Sequence, residues 1–135
     1  MKIMPAALLT VALAAVSISA FGHHSSANYD PKLITISGTV TKYQYANPHA
    51  KIFFDGPDED GVMQSWVVVT GSPGVLARIG WNRNTLTTGD TITVTGFLSK
   101  DGKRNIRVRP DRPTGHGLLV TSGASKGKTL KLGDD

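Results

Sequence analysis

Hydrophobic positions first fall into a regular alternation at Ile34, Ile36, Gly38 and Val40, with Thr35, Ser37, Thr39 and Thr41 between them. Period two with β-branched residues predicts a strand that buries one face. Beyond Thr41 the phase slips and the large side chains stand at Tyr43 and Tyr45. A slip inside one extended run predicts a bulge or coil, with Gly38 as the natural bending point. A long, bent first strand suits a small closed barrel, where one strand serves two sheets. Asn47-Pro48 then breaks the run, because proline lacks an N–H and drives the preceding residue out of the α region. His49 sits at that corner.

Ile52 and Phe54 resume as a second strand, which ends in the acidic stretch from Asp55 to Gly61. That stretch lacks the alternating oxygen ligands and terminal glutamate of a helix-loop-helix calcium site, and reads as a solvated hairpin turn. Ser65 to Thr70 is a third strand, expected to be buried on both faces. Ser72 can cap a short helix with Pro73 at its first position, Val75, Leu76 and Ile79 on its apolar face, and Gly80 as its stop. Ile92, Val94 and Leu98 mark a fourth strand, Lys100 to Lys103 a hairpin, and Ile106 with Val108 a fifth strand. Leu118 to Val120 can add a short edge strand. The order predicts an all-β fold: a small five-stranded OB-like barrel with one short helix between strands 3 and 4. A small sandwich is the alternative. Trp66 and Trp81 are expected as core and helix-packing anchors rather than ligand platforms.

The N-terminal residues change the picture from a fold to an address. Lys2 precedes an apolar run from Ala6 to Val16, and small residues follow at Ser17, Ser19, Ala20 and Gly22. This is the pattern of a secretory signal peptide, too short and wrongly flanked for a membrane anchor. Residues 1–22 are read as the signal, with cleavage after Gly22 favoured and cuts after Ser19 or Ala20 open. Residues 23–32 then form a polar arm, 33–121 the barrel domain, and 122–135 a flexible basic tail. The expected location is periplasmic or secreted, with no transmembrane anchor after processing.

The chain has no cysteine, so disulfides and thiolate metal sites are excluded. Its formal net charge is +5, and the basic residues crowd the C-terminal third from Lys100 onward. Basic asymmetry can mark nucleic-acid binding, but an exported protein rarely meets nucleic acid, and none is expected as a partner.

Several short motifs recur in order: His23-His24-Ser25, Gly38-Thr39-Val40, Asn47-Pro48-His49-Ala50, Gly71-Ser72-Pro73, Gly80-Trp81-Asn82-Arg83-Asn84-Thr85-Leu86, Gly89-Asp90 and Lys100-Asp101-Gly102. Together they resemble an exported bacterial domain family of unknown function, DUF6152-like. Asn82 and Asn84 depart from the usual tryptophan segment, and the basic tail is this chain's own. The resemblance implies a periplasmic setting and brings no catalytic or binding residue.

Candidate chemistry rests on histidine. Cleavage after Gly22 leaves His23 at the terminus, where amine and ring can chelate one metal together, completed by His24 or His49. Cleavage after Ala20 leaves His23 third, giving an amine, two amides and an imidazole, a square-planar nitrogen set that suits copper. Against this stands the plainer reading of His49 as a turn residue bonded to a carbonyl or to an Asp or Asn side chain. No nucleophile elbow, facing carboxylate pair or phosphate loop appears, and the chain is not expected to be an enzyme. On an OB-like barrel the face of strands 2 and 3 binds ligands. Tyr43, Tyr45 and Phe53 are the ligand-binding candidates there, for an envelope protein, peptide or glycan. The expected function is thus a non-enzymatic binding module. A copper- or zinc-type metal-binding protein, using the processed N-terminus and His49, is the alternative.

Overall fold

The computed structural model describes residues 29–108 and 117–130. Within them the chain is all-β with one short helix. β1 (Tyr29–Gln44), β2 (Lys51–Pro57) and β3 (Met63–Val69) form an antiparallel meander. Helix α1 (Pro73–Arg78) separates them from β4 (Thr91–Ser99), β5 (Asn105–Arg107), β6 (Gly117–Val120) and β7 (Thr129–Leu130). The sheet order is β1-β2-β3-β5-β4-β6-β7, and β1 also pairs with β4, so the pairings of five strands close into a ring. Among the described strands only β3 and β5 pair in parallel.

β1 serves two neighbours in succession. Its first part pairs with β4 from Leu33↔Phe97 to Thr39↔Thr91, and its last part with β2 from Thr39↔Asp55 to Gln44↔Lys51. Gly38 sits at the crossing, where an added Cβ would lie 2.2 Å from the Asp55 carbonyl oxygen. The slip in the hydrophobic phase is a register shift between Val40 and Lys42. On the outer side of β1 and β4, facing hydroxyls bond in pairs: Thr35 with Thr95 and Ser37 with Thr93, each at 2.8 Å.

The enclosed core contains Val40, Ile52, Phe54, Val68, Ile92, Val94 and Ile106, all without solvent contact. α1 follows the cap that its sequence encodes: the Ser72 hydroxyl accepts from the Val75 N–H at 3.3 Å, and Pro73 opens the first turn. Trp81 follows and is buried, as is Trp66 in β3, so both tryptophans are anchors of the interior.

Two expected boundaries move. The polar arm expected over residues 23–32 overlaps the sheet: Tyr29, Asp30, Pro31 and Lys32 already belong to β1, and Tyr29 pairs with Ser99. The basic tail expected from residue 122 is structured through residue 130. β6 pairs with β4 and β7 pairs with β6, and Leu130 is completely buried. The Trp81 indole N–H donates to the Thr129 carbonyl at 3.1 Å, and the Lys128 ammonium bonds the Gly80 carbonyl at the end of α1. Gly123 has φ +84° and presses on the buried Asp90 carboxylate, leaving no room for a Cβ. These contacts hold the turn, and Gly123 and Lys128, two of its four glycines and lysines, take part in them. The signal segment and its cleavage point lie outside the described residues.

Candidate functional site

The corner between β1 and β2 spans residues 45–50, and Asn47–Pro48 is a cis peptide. His49 is exposed there, and its Nδ1 lies 3.1 Å from the Thr70 carbonyl oxygen. A carbonyl only accepts, so Nδ1 carries the proton and the Nε2 of the neutral ring is the free lone pair. His49 thus has the carbonyl partner that the plainer reading expects, at one of its two ring nitrogens. His23 and His24 lie outside the described residues. Among the described residues no three His, Asp or Glu side chains gather in a way that could hold a metal ion.

The three aromatic candidates do not share a face. Tyr43 pairs across the ladder with Ile52, which is fully buried, whereas Phe53 pairs with Lys42 and points the other way. The bulge after Val40 places Tyr43 and Tyr45 on the inner side, packed against the core near α1. Their rings meet edge to face at 5.9 Å, and the Tyr45 hydroxyl donates to the Pro73 carbonyl at 2.7 Å. The buried Tyr43 hydroxyl has no hydrogen-bond partner among the described residues, and burial, with a smaller effect of Tyr45, pushes its ionisation well above the usual phenol range. Both tyrosines close that end of the sheet. Phe53 is half-exposed alone, with the Lys42 ammonium 5.6 Å from its ring centre.

An open groove of about 580 Å³ lies at the other end of the sheet. It runs between the start of β1, the β2–β3 turn and the β4–β5 turn. Ile34, Ile36, Leu98 and the buried Trp66 form its apolar floor. Asp58, Glu59 and Asp60 stand on one lip, and Lys103 and Arg104 on the other. The Arg104 guanidinium lies 6.0 Å from the Trp66 ring centre, and the Trp66 indole donates to the Gly56 carbonyl at 3.0 Å. One exposed ion pair, Lys32 to Glu59 at 3.4 Å, joins the start of β1 to the β2–β3 turn beside the groove.

The two turns are tied by side-chain hydrogen bonds whose donors and acceptors lie within each turn's own sequence. Asp58 accepts from the Asp60 and Val62 backbone N–H groups and from the Gln64 amide. The Gln64 bond, then the Val62 N–H, hold its carboxyl below the ordinary value near 3.8. In the β4–β5 turn the Ser99 hydroxyl and the Lys103 N–H do the same for Asp101. The groove residues were missed in the sequence because they come from three separate segments, and only Trp66 and the acidic turn stood out. The one local signal was Pro57, where β2 loses its ability to donate a ladder bond.

A family model described as a family of unknown function (DUF6152) matches residues 11–107. The chain belongs to the DUF6152 family. In this DUF6152 protein the matched stretch ends at the last residue of β5, so the β6–β7 hairpin lies beyond it. No curated protein matches the chain. Among solved structures, the crystal structure of the ZRD-deleted mutant of TiaS in complex with agmatine is similar at 17% identity and a TM-score of 0.47. The similarity covers 75% of this chain and 26% of that one, so this chain matches about a quarter of that protein's length.

Proposed function

We propose that this DUF6152 protein is a non-enzymatic periplasmic binding module, built on an OB-like barrel, whose ligand lies in the groove beside Trp66. The barrel reading is supported by the ring of pairings β1-β2-β3-β5-β4-β1, with α1 inserted between β3 and β4. The periplasmic setting is supported by the signal-like run from Ala6 to Val16. The observation that carries the functional reading is the groove itself: an apolar floor with a few charged groups of both signs at its lips, the composition expected of a ligand site. An envelope peptide or glycan is the ligand class.

The test is an NMR titration of the isotope-labelled protein with extended peptides and, separately, with soluble peptidoglycan fragments. The expected result is saturable shifts confined to Leu33, the Trp66 indole and Arg104. Shifts only around Phe53 or the 45–50 corner, or none at all, refute it.

One observation favours a second reading. The proton on His49 Nδ1 is fixed by Thr70, which leaves Nε2 oriented for a metal, the arrangement a ligand histidine needs. Under that reading the processed N-terminus with His23 or His24 and His49 binds copper. Copper titration of the mature protein, with its intact mass measured, tests this. Weak binding unchanged by His49→Ala removes it.

A further inference from the structure

Ladder bonds in an antiparallel strand alternate between its two edges. Val40 turns its backbone groups toward the β4 side, donating to Asp90 and accepting from Gly89. The register between β1 and β4 is unbroken from Thr39 back to Leu33, so even-numbered residues face β4 and odd-numbered ones face away. Thr39 spends its groups on β2, opposite Asp55. Two residues further along each strand the partner of Ser37 would be Pro57, which has no N–H to give. β2 ends there and the chain turns away, with the Asp58 N–H donating to the Val62 carbonyl.

The backbone groups of Leu33 and Thr35 are thus left without a strand on that edge, since among the described residues β1 pairs only with β2 and β4. That edge faces the groove. Consecutive residues from Lys32 to Ile36 line it, inner and outer positions alike, which is how an edge rather than a face presents itself.

We propose that the Leu33–Thr35 edge of β1 takes an extended peptide segment of a partner protein as an added strand, a proposal that rests on the groove being the ligand site. Unpaired N–H and C=O groups at strand spacing select a polypeptide over a glycan, because only a polypeptide returns the alternating complement. The apolar floor takes every second side chain of the segment. The exposed carboxylate of Asp60 and the exposed guanidinium of Arg104, which rests over Trp66, are in no ion pair among the described residues and call for one basic and one acidic residue. The exposed Lys32–Glu59 pair guards the edge and opens to admit the segment.

The probes are two fluorescein-labelled heptapeptides of alternating valine and threonine, one starting with lysine and ending with glutamate, the other reversed. Binding is read by fluorescence anisotropy, and amide exchange of Leu33 and Thr35 by NMR. The expected result is saturable binding of at least one peptide, slowed exchange at both amides, and a loss of about tenfold or more on N-methylating alternate residues of the peptide. Thr35→Pro removes the free N–H and the hydroxyl pair with Thr95 but no backbone bond to β4, so it keeps the far-UV circular dichroism of the parent and loses the peptide, whereas the control Thr35→Val, which loses the hydroxyl pair alone, keeps it. Should Thr35→Pro not fold, the N-methylated peptides decide alone. Binding that shifts the Trp66 indole but ignores N-methylation, with both amides exchanging at the free rate, overturns strand addition and leaves the groove reading standing. Binding of neither peptide also overturns strand addition, and the groove reading is then judged by the peptidoglycan titration.

Discussion

Leu130→Ala measures directly whether the C-terminal hairpin is part of the folded domain. Leu130 has no solvent exposure and belongs to the same buried cluster as Trp81, Leu118 and Val120. Truncation to alanine removes three carbons, roughly 2–3 kcal/mol of transfer free energy at ~0.8 kcal/mol per methylene, and leaves a cavity that the rigid ring of strands closes only in part. The expected loss is about 3–5 kcal/mol, a large share of the ~5–15 kcal/mol that holds a domain of this size. The melting temperature should fall by something on the order of 10–20 °C. Differential scanning calorimetry of the full chain reads this, with Lys126→Ala in the exposed part of the same turn as control. If both variants melt within about 2 °C of the parent, the hairpin is not docked and the folded domain ends before residue 122.

Two other predictions follow from side chains with unusual surroundings. Tyr43→Phe removes a buried hydroxyl that has no partner among the described residues, so it should leave stability unchanged or raise it by up to about 1 kcal/mol in urea unfolding. A clear destabilisation would show that the hydroxyl is bonded. Tyr43 also sets an alkaline limit: its folded-state ionisation is raised, so its contribution is full below the unfolded value near 10 and is lost as pH rises beyond it, a loss the variant should not show. Asp58 behaves with the opposite sign. Its folded value is lowered, so its contribution is present above 3.8 and lost as pH falls through the folded value. NMR titration should place the carboxyl midpoint below 3.8, and Gln64→Ala should move it back up; no movement removes the Gln64 amide as the main cause.

Most strand positions were legible because each carried its own periodicity. Ile34 to Val40, Ile92 to Leu98 and Ile106 to Val108 alternate clearly, and Ser72-Pro73 announces a helix in two residues. Leu130 was not legible, since it stands alone among threonine, lysine and glycine. Its burial depends on Trp81, whose indole bonds the Thr129 carbonyl from 48 positions away. The phase slip after Thr41 is visible in the sequence, but its consequence depends on the pairing with β2: one extra residue turns Tyr43 and Tyr45 inward and leaves Phe53 by itself. The groove depends on where β2 parts from β1. Pro57 marks that point, but its meaning emerges only once Ser37 is known to lie opposite.

The β6–β7 hairpin also has a bearing on when this domain can fold. Residues 29–108 close the ring of strands, yet Leu118, Val120 and Leu130 fill positions against Ile92, Val94 and Trp81 that the ring leaves open. A chain that emerges N-terminus first, from a ribosome or across a membrane, therefore exposes one edge of β4 and the indole of Trp81 until residues 117–130 have followed. Completion waits for the hairpin. A fragment cut at residue 107, where the family match stops, would be held in that unfinished state and should aggregate through the bare edge.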